Sequence, residues 1–272
     1  MSNSTTPKYI HGYQDDEQER LRYQAKVIEK PIYDFIDFSN NQKLLEIGSG
    51  VGAQTEILLN RFPHLQITGV EYEPKQIAKA QQNMKSLGYD VDKVQFIQQD
   101  AKQLQLDDHY DAAFICWVLE HISEPEKVLQ SMKPYLHEGA KIVITEVFNA
   151  SFYTYPHAAK VMEYWEIYNN YQRSIGGDPD VGAKLGHLLE IAGYKDIALR
   201  FGGFHLDSRT PEVRAAVLDY WTSLMKSGAP ALLEEGLISS DMVSAISEEM
   251  ENLKHQENSI FYYNFIQATA FI

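Results

Sequence analysis

The residues most able to do chemistry lie in one glycine-rich stretch, Leu44 to Gly52, with the sequence LLEIGSGVG. An apolar run that is typical of a buried strand is followed by three glycines at alternate positions. Glycine tolerates a positive φ angle and leaves no side chain between the backbone and a ligand. Open α/β sheets bind nucleotide-like ligands at such a turn, where a strand ends and a helix begins. The stretch therefore predicts a site for a small molecule of that kind.

Two interpretations of this stretch compete. Gly48, Gly50 and Ala53 fit the pattern G-x-G-x-x-A of dinucleotide-binding proteins. The same two glycines with Gly52, preceded by Glu46, fit the pattern E-x-G-x-G-x-G. A pyrophosphate gains nothing from a carboxylate near the loop, whereas a positively charged ligand is attracted by it. The acid at position 46 therefore favours the second pattern.

Further polar groups follow the next predicted strands. Glu71, followed by Tyr72, ends the second strand, where an acid can accept hydrogen bonds from both hydroxyls of a ribose. Asp100 and Ala101 follow the third strand. The fourth strand leads into the stretch 116–121, CWVLEH. Because the carboxyl ends of parallel strands share one edge of the sheet, we expect these groups to lie together.

In this order and spacing, the four groups resemble the motifs of the class I methyltransferases that depend on S-adenosylmethionine, in particular those of the ubiquinone and menaquinone type. The resemblance implies methyl transfer to a small-molecule acceptor, with S-adenosylhomocysteine as product and no metal. It implies cofactor contacts by these residues: Glu46, Gly48, Ser49, Gly50, Gly52, Glu71, Tyr72, Asp100, Ala101, Cys116, Trp117 and His121.

The amino-terminal segment adds a second resemblance. Residues 9–12, YIHG, and the helical pattern that follows are similar to a segment that folds over the cofactor in many small-molecule methyltransferases. This similarity implies that Tyr9, Arg20 and Gln24 contact the cofactor or the substrate. Arg20 would pair with the carboxylate of the cofactor, a charge-assisted contact. The alternative is an ordinary amphipathic helix with one solvated face.

The elements that must position these groups follow from the apolar pattern. Short apolar runs alternate with amphipathic segments, which predicts a parallel sheet covered by helices on both faces. The predicted strands are 43–47, 66–70, 94–97, 112–116, 141–147, 194–201 and 260–272. The predicted helices are 14–36, 52–62, 74–87, 123–136, 156–173, 180–192 and 211–255. Together with the resemblance, this predicts a Rossmann-like α/β fold with a seven-stranded, mostly parallel sheet and a helical cap.

We expect a single methyltransferase domain over residues 1–272. Within it we predict an amino-terminal lid region at 1–39, a cofactor-binding core at 40–150, a helical cap at 151–180 and 205–258, and the rest of the sheet at 181–204 and 259–272.

The cap is expected to cover the methyl acceptor. Tyr153, Tyr164 and Tyr168 are candidates for an aromatic pocket wall, and ordinary packing of an added helical layer is the alternative. A general base is needed only where the acceptor must lose a proton. His121 and His205 are candidates because each follows a predicted strand and histidine titrates near neutral pH.

Composition excludes several other classes. With 24 basic and 38 acidic residues, the net charge of −14 disfavours a nucleic-acid partner. The single cysteine excludes an internal disulfide and a zinc site built on cysteines. No apolar run has the length of a membrane span, and the first residues lack the apolar stretch of a signal peptide. We therefore expect a cytoplasmic protein with no membrane partner, either a monomer or a homodimer.

Three alternatives to small-molecule methylation stay open at this stage. The chain could methylate a protein partner, or it could bind S-adenosylmethionine without catalysis. An NAD-dependent oxidoreductase could use the same glycine loop, and it would need a second nucleotide-binding half.

Overall fold

The computed structural model describes residues 10–90 and 92–272, so that Tyr9, a predicted contact of the ligand, lies outside the described residues. In this part of the chain, seven strands form one sheet in the order β3-β2-β1-β4-β5-β7-β6. The strands are β1 (Lys43–Ile47), β2 (Gln66–Glu71), β3 (Val94–Gln98), β4 (Tyr110–Cys116), β5 (Leu136–Tyr155), β6 (Lys195–Leu206) and β7 (Ile260–Phe271).

The sheet is mostly parallel. Strands β1 to β5 pair in parallel, and β7 runs antiparallel between β5 and β6. This confirms the predicted α/β fold with a seven-stranded sheet.

Helices cover both faces of the sheet. They are α1 (Asp15–Val27), α2 (Glu29–Tyr33), α3 (Ala53–Arg61), α4 (Pro74–Ser86), α5 (Pro125–Met132), α6 (Ala159–Ser174), α7 (Leu185–Ile191), α8 (Pro211–Glu234) and α9 (Ser240–His255). One core cluster joins the sheet to α2, α3, α6, α8 and α9, and a second joins the opposite face to α5 and α7. None of the helices in the described residues has the length and apolar character needed to cross a bilayer.

Two of the predicted helices are each divided in the structure. The predicted helix 14–36 breaks at Ile28, between α1 and α2. Pro31 has no N–H group to donate to the carbonyl of Val27 four residues earlier, so one continuous helix would lose that bond. The predicted helix 211–255 is divided by a turn at Gly236, where φ is +68°.

Strands β5 and β6 continue further than the apolar pattern predicts. Pairing with β7 extends β5 to Tyr155, opposite Ile260, and β6 to Leu206, opposite Phe261. A register shift between Phe148 and Tyr153 interrupts the alternation of β5, which hides the continuation in the sequence. Residues 151–155 and 205–206, which were predicted to belong to the cap, are therefore strand residues.

Candidate functional site

A cavity of about 450 Å³ lies at the carboxyl ends of β1, β2 and β4, beneath α1, α6 and α8. Its volume is in the range of ordinary small-molecule sites. We call one part the loop end, defined by Gly48, Gly50, Glu71, Tyr72 and Asp100. We call the other part the aromatic end, defined by His11, Glu120, Trp165, Tyr168 and Trp221.

The glycine loop needs its glycines for different reasons. Gly48 has a φ of +71°, and a Cβ there would lie 2.4 Å from Val118 Cγ2. Gly50 has a φ of +52°, but a Cβ there would meet no atom within 4 Å. Gly52 precedes α3 with a φ of +76° and does not line the cavity. Space for a ligand is therefore open beside Gly50, while Gly48 is packed against the segment after β4. Ser49 lies between these two glycines and lines the cavity.

Glu46 lies behind this loop rather than on the cavity wall. Its side chain is buried, and its Oε2 accepts a hydrogen bond of 2.6 Å from the Thr55 hydroxyl. Burial raises the pKa of Glu46 to about 8. The predicted direct contact with a ligand does not fit this placement, because the side chain points from β1 toward α3.

Glu71 is fixed by three backbone N–H groups. Its Oε2 accepts from the amide of Gly50 at 2.9 Å, and its Oε1 accepts from the amides of Tyr72 at 2.7 Å and Glu73 at 2.9 Å. Burial raises the pKa of Glu71, although these three hydrogen bonds oppose the shift. Both Glu71 and the half-exposed ring of Tyr72 line the cavity.

Asp100 and Ala101 complete the loop end. Oδ1 of Asp100 accepts from the amide of Lys102 at 2.9 Å, which fixes the carboxylate at the turn after β3.

The segment after β4 brings Cys116, Trp117 and His121 to the cavity. Trp117 has a φ of +57°, a backbone conformation that is rare for a bulky residue and is frequent at functional sites. Its amide nitrogen donates to the carbonyl of Thr145 at 2.9 Å, which ties the segment to β5.

Glu146 on β5 supports this segment, and sequence reasoning missed it. Its Oε1 accepts from the amides of Val118 at 3.0 Å and Leu119 at 2.8 Å. Burial raises the pKa of Glu146 to about 8, and the nearby Glu120 acts in the same direction. The sequence signal that could have identified Glu146 is its position as an acidic residue within an apolar predicted strand.

The amino-terminal helix places Arg20 and Gln24 on the cavity. Arg20 donates to both carboxylate oxygens of Glu17 at 2.6 Å, and its third nitrogen donates to Gln24 Oε1 at 2.6 Å. The guanidinium predicted to pair with a ligand carboxylate is thus engaged by Glu17, a residue that sequence reasoning missed.

The aromatic end contains Tyr168 of α6, as predicted, together with His11. The Tyr168 hydroxyl lies 2.9 Å from His11 Nε2, and the Tyr168 ring stacks on Trp165 with 5.2 Å between centroids. His11 is separated from Tyr168 by 157 positions, so local sequence gave no signal for this pair.

Three other predicted residues lie away from the cavity. Tyr153 is about half exposed on β5, and the buried Tyr164 donates its hydroxyl to the Met225 carbonyl at 2.5 Å. His205 is exposed on β6, where its ring contacts Tyr262. Tyr153 and His205 lie there because β5 and β6 stay paired with β7 beyond the residues that line the cavity. Tyr164 lies on α6 and faces α8 instead. Within residues 10–90 and 92–272, no three His, Cys, Asp or Glu side chains are grouped to hold a metal ion.

The known proteins to which the chain is similar are methyltransferases. A family model described as a methyltransferase domain matches residues 38–193. The chain is 31% identical over 132 residues to the malonyl-(acyl-carrier protein) O-methyltransferase of Paenibacillus sp. (strain JDR-2), which covers 47% of this chain and 45% of that protein. It is 27% identical over 119 residues to the demethylmenaquinone methyltransferase of Thermotoga maritima, which covers 43% and 49%. The chain thus spans about half the length of these relatives.

Solved structures agree at the level of the fold. Haemonchus contortus phosphoethanolamine N-methyltransferase 2, in complex with S-adenosyl-L-methionine, superposes with a TM-score of 0.55 at 18% identity, over 91% of this chain and 52% of that one. The family model covers more than half of the 272 residues and includes the glycine loop and the acids of the loop end. The chain therefore belongs to the methyltransferase-domain family and has the class I fold of the S-adenosylmethionine-dependent methyltransferases.

Proposed function

We propose that this chain transfers a methyl group from S-adenosylmethionine to a small-molecule acceptor. The observation that supports it most is the continuity of the cavity, which joins a glycine loop and two acids at one end to aromatic side chains at the other. Cofactor and acceptor would then meet in one cavity. A shared cavity suits methyl transfer, which depends mainly on proximity, alignment and the exclusion of water.

The residues of the loop end fit this cofactor. A carboxylate offers about four lone-pair sites, so Glu71 can accept from ribose hydroxyls while it accepts three backbone N–H groups. Asp100 would accept from the adenine amino group, and the Tyr72 ring would pack on the base. Beside Gly50, open space allows the backbone to approach the ligand. The other proposed contacts are Ser49, Ala101, Cys116, Trp117, His121 and Gln24.

When bound, the cofactor supplies a methyl group on a positively charged sulfur, which leaves with the electron pair of the broken carbon–sulfur bond. The chain holds the acceptor in line with that bond and keeps water out through α1, α6 and α8. His121 lines the cavity and is the proposed proton acceptor where the acceptor must lose a proton.

Methylation of a protein partner is a second candidate. The helices that cover the cavity favour a small molecule over a protein segment, because a side chain would have to reach past them. Binding without catalysis is a third candidate, which the test must separate from the first two. A cytoplasmic location and a monomeric or homodimeric state belong to the proposal, and cell fractionation and sedimentation measure them.

The test is methyl transfer itself. The purified chain is incubated with S-adenosylmethionine labelled in the methyl group and with a panel of small amines, phenols, alcohols, thiols and carboxylic acids. Labelled product from one acceptor class, together with S-adenosylhomocysteine, is the expected result, and Asp100→Ala should reduce both. Cofactor binding without labelled product from any small molecule would contradict the proposal, and label on added protein would favour the second candidate.

A further inference from the structure

Strand β6 forms one edge of the sheet, and among the described residues it pairs with β7 alone. A register shift lies between Lys195 and Ala198, and from Ala198 to Leu206 the two strands pair regularly. The backbone N–H and C=O groups on the outer side of β6 therefore form a regular row that a further strand can pair with. We call residues 198–204, with the sequence ALRFGGF, the open edge.

The open edge lacks the features by which proteins commonly prevent unwanted strand pairing. Edge strands are usually short, or they carry charged side chains or proline. The opposite edge of this sheet follows that rule, because β3 has five residues and its exposed side chains are Gln95 and Gln98. The open edge has seven residues in regular pairing, with no proline, no acidic residue and a single charge at Arg200. This difference between the two edges favours a partner strand on β6.

Apolar side chains flank the open edge on both faces of the sheet. Phe201 is 76% exposed, and the half-exposed Leu199 lies on the same face, beside Gly186 of α7. On the other face, the guanidinium of Arg200 lies 3.8 Å from the ring centre of Phe35, which is 64% exposed. A strand that paired with the open edge would therefore bury apolar side chains on both faces as well as pair the backbone.

A second copy of β6 fits the open edge when the two strands run antiparallel and Phe201 faces Phe201 of the second copy. In this register Arg200 faces Gly202 of the second copy, so no like charges oppose each other. Leu199 faces Gly203, which leaves room for the central aromatic pair. A register centred on Arg200 would instead set two guanidinium groups against each other. The net charge of −14 repels two copies in general, but the open edge contains none of the acidic residues.

We infer that two copies of this chain associate through the open edge, so that their two seven-stranded sheets join across a two-fold axis. Because the same edge is used by both copies, pairing ends at two. The inference goes beyond the proposed methyl transfer and does not depend on it. The cavity lies at the carboxyl ends of β1, β2 and β4, and no residue of β6 lines it. Association through β6 therefore leaves the cavity accessible.

Sedimentation equilibrium of the purified full chain tests the association. Wild-type protein should approach twice the chain mass of 31.1 kDa as its concentration rises to about 100 µM. Phe201→Glu removes the central aromatic pair and opposes two like charges, so the dissociation constant should rise at least about tenfold. Leu87→Glu is the matched control, since Leu87 is 42% exposed at the end of α4, which packs on β2 and β3.

Two outcomes of the sedimentation experiment would overturn the inference. One is a wild-type chain that stays monomeric at this concentration, which would leave the open edge to an extended segment of another protein. The other is a dimer that Phe201→Glu leaves intact. Calorimetric titration with S-adenosylhomocysteine separates this test from the proposed function. Phe201→Glu should bind this ligand as the wild type does, and a failure of both to bind it would count against the proposed function alone.

Disulfide cross-linking tests the register. The single cysteine of the chain, Cys116, is buried, so oxidation of the wild type should give no cross-linked dimer. In Phe201→Cys the two new thiols face each other across the axis, and mild oxidation should link the copies on a non-reducing gel. In Leu199→Cys the two thiols lie roughly 13 Å apart along the strands, which is too far for a disulfide. Cross-linking of Leu199→Cys but not of Phe201→Cys would contradict this pairing.

Discussion

The amide nitrogen of Gly50 lies 2.9 Å from Oε2 of Glu71. This hydrogen bond ties the loop after β1 to the end of β2, while Oε1 is held by the amides of Tyr72 and Glu73. Both carboxylate oxygens are thus fixed before any ligand arrives. Such preorganisation lowers the cost of ordering the site on binding.

Replacing Glu71 should weaken both the fold and the site. In Glu71→Gln one oxygen becomes an NH₂ group, which cannot accept from the backbone amides that face it. We expect a loss of roughly 1–3 kcal/mol in the free energy of unfolding, and a comparable loss in the binding of S-adenosylmethionine. Thermal unfolding and calorimetry measure the two effects. Glu163→Gln, at an exposed position, serves as control. An unchanged affinity would exclude Glu71 from the cofactor site.

Replacing Gly48 and replacing Gly50 by alanine should affect the stability of the protein and its affinity for the cofactor differently. Gly48→Ala places Cβ against Val118, so we expect losses of stability of roughly 1–3 kcal/mol from overpacking and about 1–2 kcal/mol from the backbone. Gly50→Ala meets no protein atom, so it should lose only the backbone contribution of about 1–2 kcal/mol. Its methyl group would occupy the open space beside the loop, and cofactor affinity should fall at least about tenfold.

Gly88→Ala is the matched control for Gly50→Ala. Its φ is +86° and a Cβ there also meets no atom within 4 Å, but Gly88 lies outside the cavity. Gly88→Ala should therefore lower the stability of the protein without lowering its affinity for the cofactor. Equal affinities of Gly50→Ala and Gly88→Ala for the cofactor would show that the ligand does not approach the loop at Gly50.

The buried acid Glu146 should make stability depend on pH. Its folded pKa of about 8 lies above the ordinary value of 4.5, so the folded chain retains a proton that the unfolded chain loses. The stability that Glu146 adds to the folded chain through this proton is fully present below about pH 4.5 and is lost as the pH rises through about 8. Glu146 should therefore lower the unfolding temperature as the pH rises from about 5.5 to about 8.5, against the opposite contribution of His11, whose pKa burial lowers.

Glu146→Gln should reduce this slope, because a neutral amide does not titrate. Glu46 has a raised pKa of about 8 as well and should supply the slope that remains. Thermal unfolding across that range tests the point, with Glu163→Gln again as control. A variant with the full wild-type slope would show that Glu146 is ionised in the folded protein.

Removing only one partner of the ion pair between Arg20 and Glu17 should lower the free energy of unfolding. Glu17→Leu leaves the buried guanidinium without that carboxylate, and we expect a loss of roughly 3–5 kcal/mol in the free energy of unfolding. The double variant Glu17→Leu/Arg20→Met removes both charges and should recover part of the loss. Urea unfolding measures the cycle. A double variant less stable than Glu17→Leu would contradict the role of the pair as mutual neutralisation.

The pattern of apolar residues and glycines in the sequence predicted which residues lie at the loop end. An apolar run followed by alternating glycines is compatible with few backbone conformations. The acids after β2 and β3 follow strands that the apolar pattern also predicts. The placement of Glu46 could not be predicted in the same way. Side chains on a strand alternate between two faces, and β1 is buried on both, so its sequence does not show which face meets the ligand.

The aromatic end depends on contacts that local sequence does not encode. Tyr168 meets His11 only after α6 and the amino-terminal segment have packed over the same edge. His205 lies away from the cavity because cross-strand pairing with β7 determines where β6 ends. Glu17 differs from these residues, because it lies three positions before Arg20 on α1 and this i,i+3 spacing was a signal in the local sequence.

Calorimetric titration measures whether this cavity binds S-adenosylmethionine. Purified protein is titrated separately with S-adenosylmethionine, S-adenosylhomocysteine and NAD, with Asp100→Ala in parallel. We predict binding of one equivalent of each of the first two, no binding of NAD, and an affinity loss in the variant of roughly 1–3 kcal/mol. Binding of NAD alone, or no binding of S-adenosylmethionine by the folded wild-type chain, would show that the cavity is not a site for this cofactor.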